Sequence, residues 1–175
     1  MLALSLVPLC SLASYPSLFD SLFKTYSEAY LPTDWRLLKA QCYQESRLDN
    51  WAMSPVGAQG LCQFMPATWR DMQKQLGTDA GAFNPMLNIR AGALYMRRLR
   101  RSWHSPRPER DRHSLALASY NAGLGNLLKA QRRCDMATLW PEIADCLEQV
   151  TGEHSRETLQ YVSAIWRFYR DMRGD

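Results

Sequence analysis

No stretch of the 175-residue chain reaches the ~20 consecutive apolar residues that a membrane-spanning helix requires, and there is no internal repeat or low-complexity run. Histidine is scarce: three residues, at 104, 113 and 154, stand far apart. The five cysteines, at 10, 42, 62, 134 and 146, lack the paired C-x-x-C spacing of zinc sites. These shortages leave no metal centre and no cofactor to expect. They also remove thiol nucleophilic chemistry, since no cysteine has a visible histidine and acid to activate it. Lysine is scarce as well, because 17 of the 21 basic residues are arginines. A net charge of +4 suits attraction to an anionic wall or membrane surface, whereas nucleic-acid binding would need a motif that is not there.

What is there is apolar mass. With 46% hydrophobic residues, 175 residues make one compact domain with a real core. Residues 1–17 are set apart from a domain spanning 18–175. From Met1 to Ala13 the chain is apolar except for two serines, yet no Lys or Arg precedes Lys24 and Pro8 interrupts the run. The segment therefore reads either as an ill-formed signal or anchor or as a locally packed N-terminal arm. Val-Pro-Leu-Cys at 7–10 is a poor lipidation box.

Periodicity makes the domain all-α, with no convincing strand. Leu18, Phe19, Leu22, Phe23, Tyr26, Ala29 and Tyr30 give a first helix, begun near Ser17 and stopped before Pro32. Thr33 or Asp34 caps a second. Pro66 to Leu76 forms a third, closed by Gly77, and Met86 to Trp103 the longest. Ser105 to Arg110 reads as a proline-broken loop. A short helix through Leu115, Leu117, Ala118 and Tyr120 then stops at Asn121-Ala122-Gly123, and further helices fall near 124–131, 137–147 and 156–171. Seven arginines between 97 and 112 form the densest charge cluster, either a solvated helix end and loop or a docking surface for anionic wall polymer. Cys42 and Cys62 read most simply as small buried hydrophobes. Cys134 and Cys146 flank one short helix and can bridge in an oxidising compartment, and the odd count leaves a thiol free or paired between molecules.

The candidate chemistry lies at Gln44-Glu45-Ser46. The apolar stripe of Trp35, Leu37, Leu38, Cys42 and Tyr43 runs into Glu45, so this carboxylate falls on the last turn of a half-buried helix. A glutamate there is ordinarily solvated or capping. If it is functional, the negative helix end and the apolar neighbours raise its pKa, as a general acid requires near neutral pH. The neighbouring segment favours function: Ser54-Pro55-Val56-Gly57-Ala58-Gln59-Gly60 cannot continue a helix and lets a ligand approach the main chain closely.

At these residues the chain resembles the catalytic domain of the soluble lytic transglycosylases, lysozyme-like enzymes that cut peptidoglycan. The resemblance rests on Gln-Glu-Ser (44–46), Ser-Pro-Val-Gly-Ala-Gln-Gly-Leu-Cys-Gln-Phe-Met-Pro (54–66), Asn-Ile-Arg-Ala-Gly (88–92), Ala-Ser-Tyr-Asn-Ala-Gly (118–123) and Glu-Thr-Leu-Gln-Tyr-Val (157–162). It implies the helical fold shared with goose-type lysozyme, Glu45 as the single acid and base, and Ser46 and Tyr161 supporting its carboxyl. It further implies a sugar groove lined by Ser54, Gly60, Gln63, Met65, Tyr120, Asn121 and Glu157. Core packing is the rival role for Met65, Tyr120 and Tyr161. Cys62 stands where the family often has Met.

The reaction implied is non-hydrolytic cleavage of the MurNAc–GlcNAc bond, leaving 1,6-anhydro ends, with peptidoglycan glycan strands as partner. A hydrolytic lysozyme is one alternative, with Asp49 the first candidate for a second carboxylate. A non-catalytic wall-gripping part of a phage particle or secretion machine is another. Small size and the poor N-terminal signal suggest a phage enzyme acting with tail or lysis partners. It would reach the periplasmic wall within the virion, on lysis, or by export.

Overall fold

The computed structural model describes residues 15–175, so Cys10 and most of the 1–17 segment lie outside the described residues. Nine helices and no strand occur among the described residues: α1 (Asp20–Tyr30), α2 (Trp35–Ser46), α3 (Pro66–Leu76), α4 (Pro85–Ser102), α5 (Glu109–Ala122), α6 (Leu124–Arg133), α7 (Trp140–Asp145), α8 (Glu148–Thr151) and α9 (His154–Arg173). The β pairing among them is limited to two isolated bridges, Met53 with Gln59 and Gln59 with Phe64, in the loop between α2 and α3.

Helix α5 is the central element. Every residue from His113 to Ser119 is buried, as expected of a helix enclosed on all sides rather than amphipathic. Helices α4, α6 and α9 pack on it, and α2 lies along α9 with α1 over both α2 and α4. Phe23, Leu38, Ile89, Met96, Leu115 and Ile165 meet in one continuous core. Two charges are buried with it. Lys39 on α2 reaches Asp20 of α1 at 2.6 Å. Arg100 donates to Glu109 at 2.5 Å and to His113 Nδ1 at 3.0 Å. The arginine cluster is therefore mixed: Arg100 is an interior tie between α4 and α5, whereas Arg101 and Arg110 are exposed.

Helix limits agree with the periodicity for α1 to α4, with Asp34 the cap of α2: its carboxylate accepts from the Arg36 N–H. Two expectations need correction. Helix α5 starts at Glu109, inside the supposed loop, because Pro108 precedes it and Glu109 and Asp111 suit the positive end of a first turn. The helix expected over 137–147 is only α7, and α8 comes after it as a separate turn. Here Asp135 and Met136, both at positive φ, turn the chain out of α6.

The cysteines differ from expectation in one pair. Cys134 and Cys146 are bridged, as their spacing allowed. Cys42 and Cys62 are also bridged, Cα to Cα 4.3 Å, rather than packed as separate thiols. The bond staples α2 to the following loop one turn from Glu45. Gly92 of α4 makes room for it, since a Cβ there would stand 3.2 Å from the Cys62 sulfur.

Candidate active site

Helix α2 delivers Glu45 to its last turn, and the chain then reverses abruptly. Arg47 and Leu48 both take the left-handed conformation, at φ 58° and 63°, which non-glycine residues adopt at a cost. Burial of Leu48 and stacking of the Arg47 guanidinium on Tyr43 and Phe168, 4.8 and 5.0 Å from the ring centres, hold that reversal. The loop from Asp49 to Phe64 then folds back beneath Glu45.

Helix α9 supplies the partner for the acid. Tyr161 donates its hydroxyl to Glu45 Oε1 at 2.5 Å, and the tyrosine itself is buried. The Glu45 carboxyl is pushed up to about 7, chiefly by burial; the Tyr161 hydrogen bond pulls it down and the charge of Glu157 pushes it up. At neutral pH the group is thus poised between acid and base. Tyr161 is pushed well above the ordinary tyrosine range, by burial first and by Glu45 second, so it stays a hydrogen-bond donor.

Helix α5 closes another side. Tyr120 donates to the Cys62 carbonyl at 2.6 Å and packs edge-on against Phe64 and Tyr95. Burial and the Glu45 charge both raise its hydroxyl. Tyr120 therefore packs with the core while its hydroxyl is tied to the loop. Asn121 accepts from Thr158 Oγ1 at 2.7 Å and donates to Glu157 at 3.4 Å, which ties the end of α5 to the start of α9. Gln44, Glu157, Gln160, Tyr161 and Arg167 border an open depression of about 470 Å³ beside the acid.

Several of the residues expected at the site also brace the loop. Ser46 donates to the Leu61 carbonyl at 2.7 Å, not to Glu45, so it supports the acid only by fastening helix to loop. The Gln63 amide donates to the Ala52 and Gly60 carbonyls, leaving only its oxygen for a ligand. Ser54 Oγ accepts from the Ala58 N–H, closing the turn through Pro55. At Gly60, φ is 76° and a Cβ would lie 2.4 Å from both the Ala82 carbonyl and the Asn88 amide, so its small size serves packing. Met65 is exposed rather than in the core.

Asn88, for which sequence reasoning suggested no role, is the loop's anchor. Fully buried, it accepts from the Cys62 N–H at 2.8 Å and donates to the Ala82 and Gln59 carbonyls. Its signals along the chain are its place in the 88–92 segment of the resemblance and an amide side chain in a mostly apolar run near the start of the helix. Asp49 accepts from the Trp51 N–H at 2.8 Å in a local turn.

An all-helical domain with one enclosed, tyrosine-bonded carboxyl over a stapled glycine-containing loop has a lysozyme-like layout. The family profile described as the transglycosylase SLT domain matches residues 22–139, and the chain belongs to that family. Among curated relatives, it is 36% identical over 151 residues to the membrane-bound lytic murein transglycosylase F of Alcanivorax borkumensis, covering 84% of this chain and 31% of that protein. The fold superposes on the 70 kDa soluble lytic transglycosylase of Escherichia coli with a TM-score of 0.69 and 25% identity, over 92% of this chain and 25% of that one. The Pseudomonas aeruginosa lytic transglycosylase Slt, solved as an inactive Glu-to-Gln mutant, gives 0.71 at 23% identity over 91% and 25% of the two chains. The chain thus spans about a third or less of the length of these relatives.

Proposed function

We propose that the protein is a peptidoglycan lytic transglycosylase with Glu45 as its acid and base. The observation that carries this reading is the single enclosed carboxyl raised to about 7 and bonded to Tyr161. Protonated Glu45 gives its proton to the oxygen linking MurNAc to GlcNAc as the bond from that oxygen to the MurNAc anomeric carbon breaks. The 2-acetamido group of MurNAc assists departure. The carboxylate then takes the proton of the MurNAc 6-hydroxyl, whose oxygen closes on the anomeric carbon to form the 1,6-anhydro ring. No water enters. Tethering of the nucleophile to the reacting sugar supplies the advantage of an intramolecular step.

Family membership and the relatives' names support this reading, as does the local use of Asp49, whose carboxylate is occupied by its own turn. Ser54, Gln63, Met65, Tyr120, Asn121 and Glu157 are proposed to border the glycan strand, Gln63 through its side-chain oxygen. Two disulfides favour a place of action in an oxidising compartment, as the wall-facing periplasm is.

A hydrolytic reading has one observation in its favour, the Glu157 charge felt at Glu45, since two carboxylates are the ordinary equipment for activating water. Digestion of purified peptidoglycan in heavy-oxygen water separates the two. Transglycosylation gives muropeptides one water lighter than the hydrolysis product, with no heavy oxygen. Heavy-oxygen reducing ends would make the protein a lysozyme. Glu45→Gln keeps the fold and loses ~10²–10⁴-fold in rate in either case; activity within threefold of the parent would remove Glu45 from the mechanism.

A further inference from the structure

Gln41 is the most anomalous polar residue of the interior. It is 1% exposed, in a run of α2 buried on all sides, and neither its amide nitrogen nor its amide oxygen has a hydrogen-bond partner. A buried amide left unpaired costs ~1–3 kcal/mol, so an apolar residue here would serve stability better. Its position is not arbitrary. It precedes Glu45 by one turn, and side chains at that spacing lie on one face of a helix. That face is the one covered by α9, from which Tyr161 reaches Glu45.

We propose that Gln41 is a positioning residue for the acid: its amide N–H donates to the Tyr161 oxygen while the Tyr161 hydroxyl donates to Glu45, forming a three-residue chain that aims the carboxyl. The Tyr161 oxygen gives up its one proton to Glu45 and keeps acceptor capacity for such a bond. Gln41 already acts on Tyr161 in the direction an amide donor would, lowering a hydroxyl that burial and Glu45 raise. An amide that donates to the tyrosine makes it a better donor to Glu45, favours the carboxylate and lets the acid release its proton more readily.

The other groups facing this chain are few. Glu157 and Arg167 come from α9, Tyr120 from α5 with Tyr95 of α4 behind it, and the Lys39–Asp20 pair lies nearer the start of α2. None of them is altered by changing Gln41, so a shifted pH profile reports on the amide.

The inference rests on Glu45 being the acid, and Glu45→Gln tests that separately: if that variant keeps its activity, the functional reading fails, whatever Gln41 does. Gln41→Met retains length and flexibility while deleting the amide. With purified peptidoglycan as substrate, the basic limb of its pH–rate profile moves up by several tenths of a pH unit and its maximal rate falls three- to tenfold, while its Tm equals or exceeds the parent's. In a Tyr161→Phe background the same change moves neither rate nor profile further, because the residue that transmits it is gone. Gln41→Leu repeats the test with a branched side chain. A parental profile in both variants, an equal shift in the Tyr161→Phe background, or a Tm loss that marks the amide as a stabilising residue would each overturn the proposal.

Discussion

At the scale of the residue, Glu45 is governed by a balance of opposed effects. Burial and Glu157 raise its pKa and Tyr161 lowers it, to about 7. In the proposed reaction the first step needs the protonated form, so the basic limb of the turnover profile is expected near pH 7. The two neighbours can be told apart by sign. Tyr161→Phe removes a bond to the carboxylate, moves the limb up and cuts the maximal rate about tenfold, in line with ~1.5–3 kcal/mol for a hydrogen bond to a charged group. Glu157→Gln removes a negative charge and moves the limb down. Rate profiles of the two variants against the parent check both directions; a common direction would show that neither acts through the carboxyl.

At the scale of the element, the site depends on α2 and its loop moving as one body. The Cys42–Cys62 bridge, the Ser46 bond to Leu61 and the Asn88 bonds to the same loop make that body. The two disulfides close loops of similar length, 20 and 12 residues apart in sequence, so loop-closure entropy assigns each about 3 kcal/mol. Their consequences for activity differ. Replacing Cys42 and Cys62 with alanine lowers stability by about that amount and depresses turnover, because the loop under Glu45 loosens. Replacing Cys134 and Cys146 costs similar stability but spares turnover per folded molecule, since that bridge spans α6 to α7. Urea unfolding alongside turnover measurement checks the pair.

At the scale of the whole molecule, half-buried Glu45 and buried His113 set opposing pH dependences of stability. Glu45 is raised from an ordinary 4.5 to about 7, so its contribution is full below 4.5 and is lost as pH rises through 7. His113 runs the other way. Burial, then the Arg100 charge, push it down from 6.5 to about 3, against a smaller pull from Glu109, so its contribution is present above 6.5 and is lost as pH falls toward 3. Between 4.5 and 6.5 the two partly cancel in the parent. In Glu45→Gln the histidine slope is no longer opposed, and Tm falls steadily on acidification from pH 7 to pH 4. Adding His113→Gln, which can still accept from Arg100, flattens that fall. Thermal unfolding across the pH series measures it, and a flat profile in the single variant would remove His113 from the account.

The sequence by itself determined most of the helices and pointed to the proposed acid. Periodicity located α1 to α4 and α9, because an amphipathic face is written at 3.6-residue spacing whatever it packs against, and Pro66 and Gly77 marked the ends of α3. Glu45 and Tyr161 were legible as a pair through the resemblance, although 116 positions apart. Other features depended on contacts between distant segments, which spacing does not encode. The Cys42–Cys62 bridge required α2 and the loop to meet at 4.3 Å, and Asn88 became the loop's anchor only once α4 lay beneath it. Gly60 and Gln63 also support the loop, a role spacing did not announce, because the glycine's missing side chain and the glutamine's amide are both taken up by neighbouring groups. The unpaired amide of Gln41 had no signal at all along the chain. Only the packing of α9 over α2 leaves it in a dry interior beside the tyrosine that holds the acid.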